Sequence, residues 1–336
     1  MVALLSLLAY ATVPLLAIQS TLSGRYYTRR VAYVVTMSIC GLSGLIYAVG
    51  MVPTGSRYNL HWMVARTFFY VAGPLFGLKI EIEGEEYLRD QKDGGALPAI
   101  LMANHQSMLD IFPVGRTMPK RGSILSKKSI QYSPLGPFMM LSGAVFIDRG
   151  NSASALKSLD QAVATMKSKR LSLWLFPEGT RHCEEQPTML PFKKGGFHLA
   201  IQAGFPIVPI VFENYWRLYH KDVFDSGVIR VKVLPPVPTT GLTTADIPDL
   251  MARVREQMLT TLIDISVKVP STTVGEEHPE KPIVSAMPDD AVIDAANAPK
   301  GAMPTVAGAS VPSLTSSSGT ETETEDEDTV LVDRPT

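Results

Sequence analysis

The alternation of apolar and polar positions divides the chain into three parts. Apolar residues dominate positions 1–60, and they recur in short blocks separated by polar residues over 61–266. Over 267–336 the sequence is rich in Pro, Ser, Thr, Ala and Glu and poor in aromatic residues, which predicts an acidic disordered tail. The middle part alternates short apolar runs with segments of helical spacing, and this alternation predicts a layered α/β domain.

Two uncharged segments near the N-terminus predict a membrane-embedded region. Val31–Val52 contains 22 residues without a charge, and about twenty apolar residues span a bilayer as a helix. Met1–Gly24 is also uncharged, but Pro14 interrupts it and it lacks the basic start of a signal peptide. We therefore expect a transmembrane or re-entrant helical region over 1–60. A pair of buried core helices is the alternative.

Shorter features beside these segments refine the expectation. Three arginines lie within residues 25–30, and a basic loop next to a membrane segment prefers the cytosolic face. The apolar stretch 67–78 is too short to span a bilayer. Its aromatic residues Phe68, Phe69 and Tyr70 predict an interfacial segment at headgroup depth.

The middle part contains seven predicted strands and three well-marked helices. The strands are expected within 78–84, 98–104, 122–128, 144–150, 171–181, 205–212 and 228–237. The helices are expected over 152–169, 195–203 and 244–266, and Gly204 is the predicted stop signal of the second one. The pattern leaves open whether the strands pair in parallel or in a mixed sheet.

The near-zero net charge of −1 conceals an uneven distribution. Residues 267–336 carry thirteen acids and four bases, a net charge of −9, so residues 1–266 carry +8. A basic body favours anionic partners, namely nucleic acid, anionic lipid or a phosphorylated substrate. Because its basic residues are scattered and its apolar N-terminal segments point to a membrane, we predict no nucleic-acid partner. Cys40 and Cys183 provide neither a disulfide framework nor zinc-ligand spacing.

Polar clusters lie at the exits of several predicted strands. They are NHQSMLD (104–110), FIDRG (146–150), FPEGTR (176–181) and, more weakly, FPIVPIVF (205–212). In layered α/β domains, sites form where loops leave the carboxyl ends of strands, so the clusters are candidates for one shared pocket. Taken singly, each also has an ordinary structural explanation, such as a buried histidine, a local ion pair or a turn.

Together, in this order and at these spacings, the four clusters resemble the motifs of the glycerolipid acyltransferases. Over about residues 60 to 240 the nearest match is the 1-acyl-sn-glycerol-3-phosphate acyltransferases. The resemblance implies a glycerol-3-phosphate-acyltransferase-like layered α/β domain behind the membrane-embedded N-terminus. It also implies acyl transfer from acyl-CoA to the sn-2 hydroxyl of lysophosphatidic acid, giving phosphatidic acid. The expected location is the endoplasmic reticulum membrane.

The resemblance also assigns roles to individual residues. His105 would be the general base, and Asp110 would orient its ring. The predicted substrate-binding residues are Phe146, Arg149, Glu178, Gly179 and Arg181. The expected partners are acyl-CoA, lysophosphatidic acid and membrane lipids, with no metal and no cofactor other than acyl-CoA as co-substrate.

The residue types suit this chemistry. A hydroxyl is a weak nucleophile until its proton is removed, and an imidazole with an unperturbed pKa of about 6.5 is a suitable base. A thiolate leaving group needs little help from an acid. Cys183 is the rival nucleophile, although its motif supplies no base for it. Ser107 is interpreted as a turn or cap residue. Another acyl acceptor and a non-catalytic membrane scaffold remain alternatives.

Overall fold

The computed structural model describes residues 20–89, 97–132, 135–147 and 152–267, with the backbone alone at 147 and 152–159. Residues 1–19 of the first apolar segment, residues 268–336 of the predicted acidic tail and Arg149 therefore lie outside the described residues. The helices are α1 (Leu22–Met51), α2 (Leu60–Phe76), α3 (Ile111–Thr117), α4 (Gly136–Leu141), α5 (Ser152–Lys169), α6 (Gly195–Ala203) and α7 (Ile247–Ile265). The strands are β1 (Leu78–Glu83), β2 (Ile100–Ala103), β3 (Gly122–Lys127), β4 (Val145–Ile147), β5 (Ser172–Leu175), β6 (Ile207–Phe212), β7 (Tyr219–His220), β8 (Val223–Phe224) and β9 (Gly227–Val233).

The seven predicted strands form one mixed sheet in the described part of the chain, in the order β1-β9-β6-β2-β5-β3-β4. Every neighbouring pair is parallel except β6 and β9, which are antiparallel. This settles the pairing that the sequence pattern left open. The short β7–β8 hairpin was not predicted, because each of its strands has only two residues.

Helices cover both faces of this sheet, which confirms the predicted layers. Successive side chains of a strand point to opposite faces, and strand β2 divides accordingly. Leu101 and Ala103 pack with residues of α1, α2 and α3, whereas Ile100 and Met102 pack with residues of α5, α6 and α7. The predicted helix bounds hold closely: α5 spans 152–169, and α6 ends at Gly204 with a left-handed φ of 68°.

The structure corrects the expected basic loop, because residues 25–30 belong to helix α1. The helix begins at Leu22, where the Thr21 hydroxyl accepts the Gly24 N–H at 3.0 Å. Arg29 then donates to the Phe76 carbonyl oxygen at 2.6 Å. Tertiary partners of this kind override a loop-like local pattern. Among the described helices, α1 has the length and apolar composition required to cross a bilayer.

The structure also corrects the expected interfacial aromatics. Residues 67–76 continue helix α2, which packs against α1 and the sheet. Phe68 is only 2% exposed and meets the Tyr33 ring edge-on at 5.3 Å. Phe69 stacks on Phe112 at 5.0 Å, and Tyr70 alone of the three is strongly exposed, at 69%. The prediction was wrong for Phe68, because a helix directs neighbouring side chains to different faces.

Candidate active site

The carboxyl ends of three adjacent parallel strands, β2, β5 and β6, carry the polar residues of the site. Asn104 follows β2 and reaches across to the end of β6. Its side-chain amide donates to the Phe212 carbonyl at 2.9 Å, and its side-chain oxygen accepts the Phe212 N–H at 2.8 Å. Through these two bonds the Asn104 side chain continues the pairing of β2 with β6 beyond the end of β2. They fix the backbone just before His105.

His105 and Asp110 form a close pair directly after β2. The ring Nδ1 lies 2.7 Å from Asp110 Oδ2, and the same oxygen accepts the Gln106 N–H at 2.8 Å and the Ser107 N–H at 3.1 Å. Asp110 is fully buried, while 18% of the His105 side chain is exposed. A buried carboxylate at Nδ1 makes that nitrogen the proton donor, which leaves Nε2 as the acceptor.

Ser107 is a cap residue, as the sequence analysis expected. Its hydroxyl accepts the Leu109 N–H at 3.0 Å, and Asp110 accepts the Ser107 N–H in return. This reciprocal capping box starts a 3₁₀ turn over Met108–Asp110, which leads into α3. The turn brings Asp110 back toward His105, which explains the spacing of five positions between them.

The loop after β5 covers the other side of the histidine. The Phe176 ring stacks on the His105 imidazole with a centroid distance of 3.9 Å and an angle of 13°. Glu178 Oε1 accepts the His105 N–H at 2.8 Å, and its Oε2 accepts the Leu190 N–H at 2.9 Å. Gly179 closes the turn with a φ of 73°, a backbone angle that favours glycine.

The other predicted substrate-binding residues lie at different distances from this centre. Arg181 is exposed just beyond the turn, and it is close enough for its positive charge to act on the buried Tyr219 side chain. Phe146 belongs to the edge strand β4 and packs against the cluster around Phe138. Arg149 lies outside the described residues. The structure brings Glu178 to His105 and places Gly179 next to it in the turn, and the part of both residues in substrate binding stays a prediction.

Cys183 lies near the pair but is a poor candidate nucleophile. Its thiol contacts the Tyr219 carbonyl oxygen at 3.6 Å. Burial, together with the negative charges of Asp110 and Glu184, raises the pKa of this thiol to about 11. Among the described residues, no group of three or more histidine, cysteine, aspartate or glutamate side chains is arranged to hold a metal ion.

Tyr215 is the contact that sequence reasoning missed. Its hydroxyl donates to Asp110 Oδ1 at 2.5 Å and lies 2.9 Å from Ser107 Oγ. Tyr215 stands three residues after the fourth motif, in a stretch with no strand or helix periodicity. Only its nearness to FPIVPIVF in the sequence could have pointed to it.

Comparison with known proteins agrees with this geometry. Residues 79–213 match the acyltransferase family. The chain is 40% identical over 243 residues to the 1-acyl-sn-glycerol-3-phosphate acyltransferase of Saccharomyces cerevisiae, covering 71% of this chain and 78% of that one. It is 33% identical to the human 1-acyl-sn-glycerol-3-phosphate acyltransferase beta, covering 75% of this chain and 88% of that one.

The crystal structure of the 1-acyl-sn-glycerophosphate (LPA) acyltransferase from Thermotoga maritima shares the fold, with a TM-score of 0.52 and 21% identity over 70% of this chain and 97% of that chain. The chain therefore belongs to the 1-acyl-sn-glycerol-3-phosphate acyltransferase family.

Proposed function

We propose that this protein transfers a fatty acyl group from acyl-CoA to the sn-2 hydroxyl of 1-acyl-sn-glycerol-3-phosphate, which yields phosphatidic acid. The observation that carries the proposal is the His105–Asp110 pair, with Nδ1 held at 2.7 Å by a buried carboxylate and Nε2 left for a substrate. The names of its relatives in yeast and humans support the same acceptor.

The arrangement suits direct attack by the acceptor. Nε2 of His105 takes the proton of the sn-2 hydroxyl as its oxygen attacks the thioester carbonyl. Asp110 stabilises the imidazolium that forms and keeps the ring in the required tautomer. The C–S bond then breaks, and the CoA thiolate leaves and takes the proton from His105. No protein nucleophile is needed, which agrees with the protonated state of Cys183.

We assign recognition of the acceptor phosphate to Arg149 and Arg181. A guanidinium stays charged and offers parallel N–H donors that match phosphate oxygens. The exposed position of Arg181 after the β5 turn supports this role. Glu178 and Gly179 shape the loop on which Arg181 stands, and Phe146 would complete the substrate site from strand β4.

We further propose that helix α1 holds the protein at one face of the endoplasmic reticulum membrane. Its inner side contacts the domain along most of its length, from Tyr26 beside Tyr219 to Gly44 beside Phe138. Its outer side carries exposed apolar residues at three- and four-residue spacing: Val31, Val35, Ile39, Leu42, Ile46 and Val49. A helix packed along the domain flank supports shallow insertion better than a full crossing. The active site would then face the cytosol, where acyl-CoA is expected.

The decisive experiment is an acyl-transfer assay with the purified full-length protein in nanodiscs. Labelled acyl-CoA would be offered with lysophosphatidic acid, glycerol-3-phosphate, lysophosphatidylinositol or lysophosphatidylcholine in parallel. We expect phosphatidic acid as the main product, and a loss of about 10²–10⁴-fold for His105→Ala. His198→Ala is the matched control, because His198 lies on α6 on the opposite face of the sheet.

Each alternative predicts a different result. Faster product formation from another acceptor would change the substrate assignment, and transfer from a phospholipid without acyl-CoA would change the donor. Activity that survives His105→Ala would remove the proposed base. The absence of transfer to every acceptor would favour a non-catalytic scaffold.

A further inference from the structure

The Asp110 carboxylate is held from two sides, and only one side belongs to its own motif. Oδ2 faces the His105 ring and the Gln106 and Ser107 backbone amides. Oδ1 faces Tyr215, whose hydroxyl donates to it at 2.5 Å. Tyr215 is fully buried, so it touches the pair from inside the protein and has no access to substrate.

The hydrogen bonds around Tyr215 form a chain in which each group donates to the next, from Leu109 through Ser107 and Tyr215 to Asp110. The Leu109 N–H donates to Ser107 Oγ at 3.0 Å, so the Ser107 hydroxyl is free to donate to the Tyr215 oxygen at 2.9 Å. The Tyr215 proton then goes to Asp110. Burial, followed by the negative charge of Asp110, raises the pKa of Tyr215 well above its usual value. The phenol therefore stays protonated and keeps donating to Asp110.

Tyr215 is itself firmly placed. It follows strand β6, and its carbonyl oxygen accepts the Leu218 N–H at 2.8 Å. The preceding Asn214 is fixed by the Ser266 hydroxyl, which accepts the Asn214 N–H at 2.8 Å, and by the Glu185 carbonyl, which accepts its side-chain amide at 2.9 Å. A donor held in this way fixes the rotation of the Asp110 carboxylate, which the two backbone amides on Oδ2 do not fully determine.

We infer that Tyr215 is a positioning residue of the reaction, which fixes the orientation of the Asp110 carboxylate toward His105 and takes up part of its negative charge. The inference rests on the proposed role of His105 as the base. A donor to the carboxylate weakens its pull on the imidazolium. The pH dependence of the reaction is therefore a readout of the Tyr215–Asp110 hydrogen bond.

Other titratable groups also face the pair, and none of them bonds to the Asp110 carboxylate in the described structure. They are Tyr33 from α1, and Glu178, His182 and Cys183 from the segment after β5. Tyr33 offers a matched control. It is also a fully buried tyrosine, but its hydroxyl donates to the Leu109 carbonyl oxygen at 3.4 Å, not to the carboxylate.

The experiment compares Tyr215→Phe with Tyr33→Phe in the full-length protein, by the pH dependence of kcat/KM for transfer to lysophosphatidic acid. The acid limb is the part of the kcat/KM–pH profile in which activity falls as the pH is lowered. For Tyr215→Phe we expect this limb to move to higher pH by about half a unit or more, because the carboxylate holds the imidazolium more strongly. We expect kcat to fall roughly 5- to 50-fold, since a hydrogen bond to a charged group is lost. KM for both substrates should stay the same, and Tyr33→Phe should leave the acid limb in place.

The possible results separate this inference from the proposed function. If His105→Ala is inactive and Tyr215→Phe lowers activity without moving the acid limb, Tyr215 is only a packing residue and the inference fails alone. Equal shifts in both tyrosine variants would also overturn it. If His105→Ala stays active, the proposed base is wrong. Should Tyr215→Phe fold poorly, Ser107→Ala provides the second test, because it removes the donor to Tyr215 and should move the acid limb in the same direction by a smaller amount.

Discussion

The Glu178 carboxylate links the loop after β5 to the backbone of His105 by a hydrogen bond. One of its oxygens accepts the His105 N–H at 2.8 Å, and the other accepts the Leu190 N–H at 2.9 Å. Burial raises the pKa of Glu178, and the two backbone bonds oppose that shift. A carboxylate with both oxygens occupied by backbone amides stabilises the position of His105.

This arrangement predicts a specific effect of Glu178→Gln. The variant keeps the size of the side chain, but its NH₂ group faces a backbone N–H that needs an acceptor. An unsatisfied buried N–H costs about 1–3 kcal/mol, so we expect kcat to fall about 10-fold or more and the thermal midpoint to drop. Steady-state kinetics and thermal unfolding in the same detergent would measure both. A rise in KM for lysophosphatidic acid with unchanged kcat would instead indicate a direct contact with the acceptor.

Arg181 tests the proposed phosphate site. Arg181→Ala should raise KM for lysophosphatidic acid about 10-fold or more and leave KM for acyl-CoA nearly unchanged, because a guanidinium bonded to phosphate is lost. Arg181→Lys should restore binding only in part, since an ammonium lacks the planar fork. Initial rates with each substrate varied in turn would show the difference. Equal changes in both KM values would assign Arg181 a structural role.

The strands and the long helices could be predicted because their side chains repeat at a regular period. Helix α5 matches its prediction at 152–169, and Gly204 ends α6 as expected. The basic segment 25–30 misled the prediction, because the partners that hold Arg29 in a helix come from Phe76 and Ser226. Contacts between residues so far apart in the sequence leave no local pattern.

The same limit applies to the site. His105 and Asp110 lie five positions apart, so a motif can reveal them. Tyr215 lies 105 positions from Asp110 and meets it only because β6 is the neighbour of β2 in the sheet. The family resemblance assigned Glu178 to substrate binding, which stays a prediction, and it gave no sign that its carboxylate accepts the backbone N–H groups of His105 and Leu190. The sequence indicates which side chains belong to the site and leaves their partners to the fold.

Cys183 gives a prediction about pH. Because burial raises its pKa to about 11, the thiol stays protonated through the neutral range. In a Cys40→Ser background, we expect iodoacetamide to modify Cys183 at pH 8 roughly 100-fold more slowly than a free cysteine, since only the thiolate reacts. The rate should rise tenfold per pH unit toward pH 11. Cys183→Ala should retain most of the acyl-transfer activity. Rapid alkylation at pH 7, together with an inactive alanine variant, would restore Cys183 as the rival nucleophile.

The packing of helix α1 against the domain gives the last prediction, and two glycines of the same helix test it. Gly44 is buried, and a methyl group placed there would contact the Phe138 ring and lie 2.9 Å from Val64 Cγ2. Gly50 is exposed, and an added methyl group would meet nothing within 4 Å. Overpacking of this kind costs about 1–3 kcal/mol, whereas alanine in place of an exposed helical glycine gains about 0.5–1 kcal/mol.

We therefore expect Gly44→Ala to lower the thermal midpoint of the purified protein in mild detergent, and Gly50→Ala to keep or raise it. The activity of Gly44→Ala should fall as well, because α1 carries Tyr33, whose hydroxyl donates to the Leu109 carbonyl beside Asp110. If both variants behave like the unchanged protein, α1 does not pack against α2 and α4 in the membrane. In that case the helix would be free to cross the bilayer, and the proposed orientation along the domain flank would have to be abandoned.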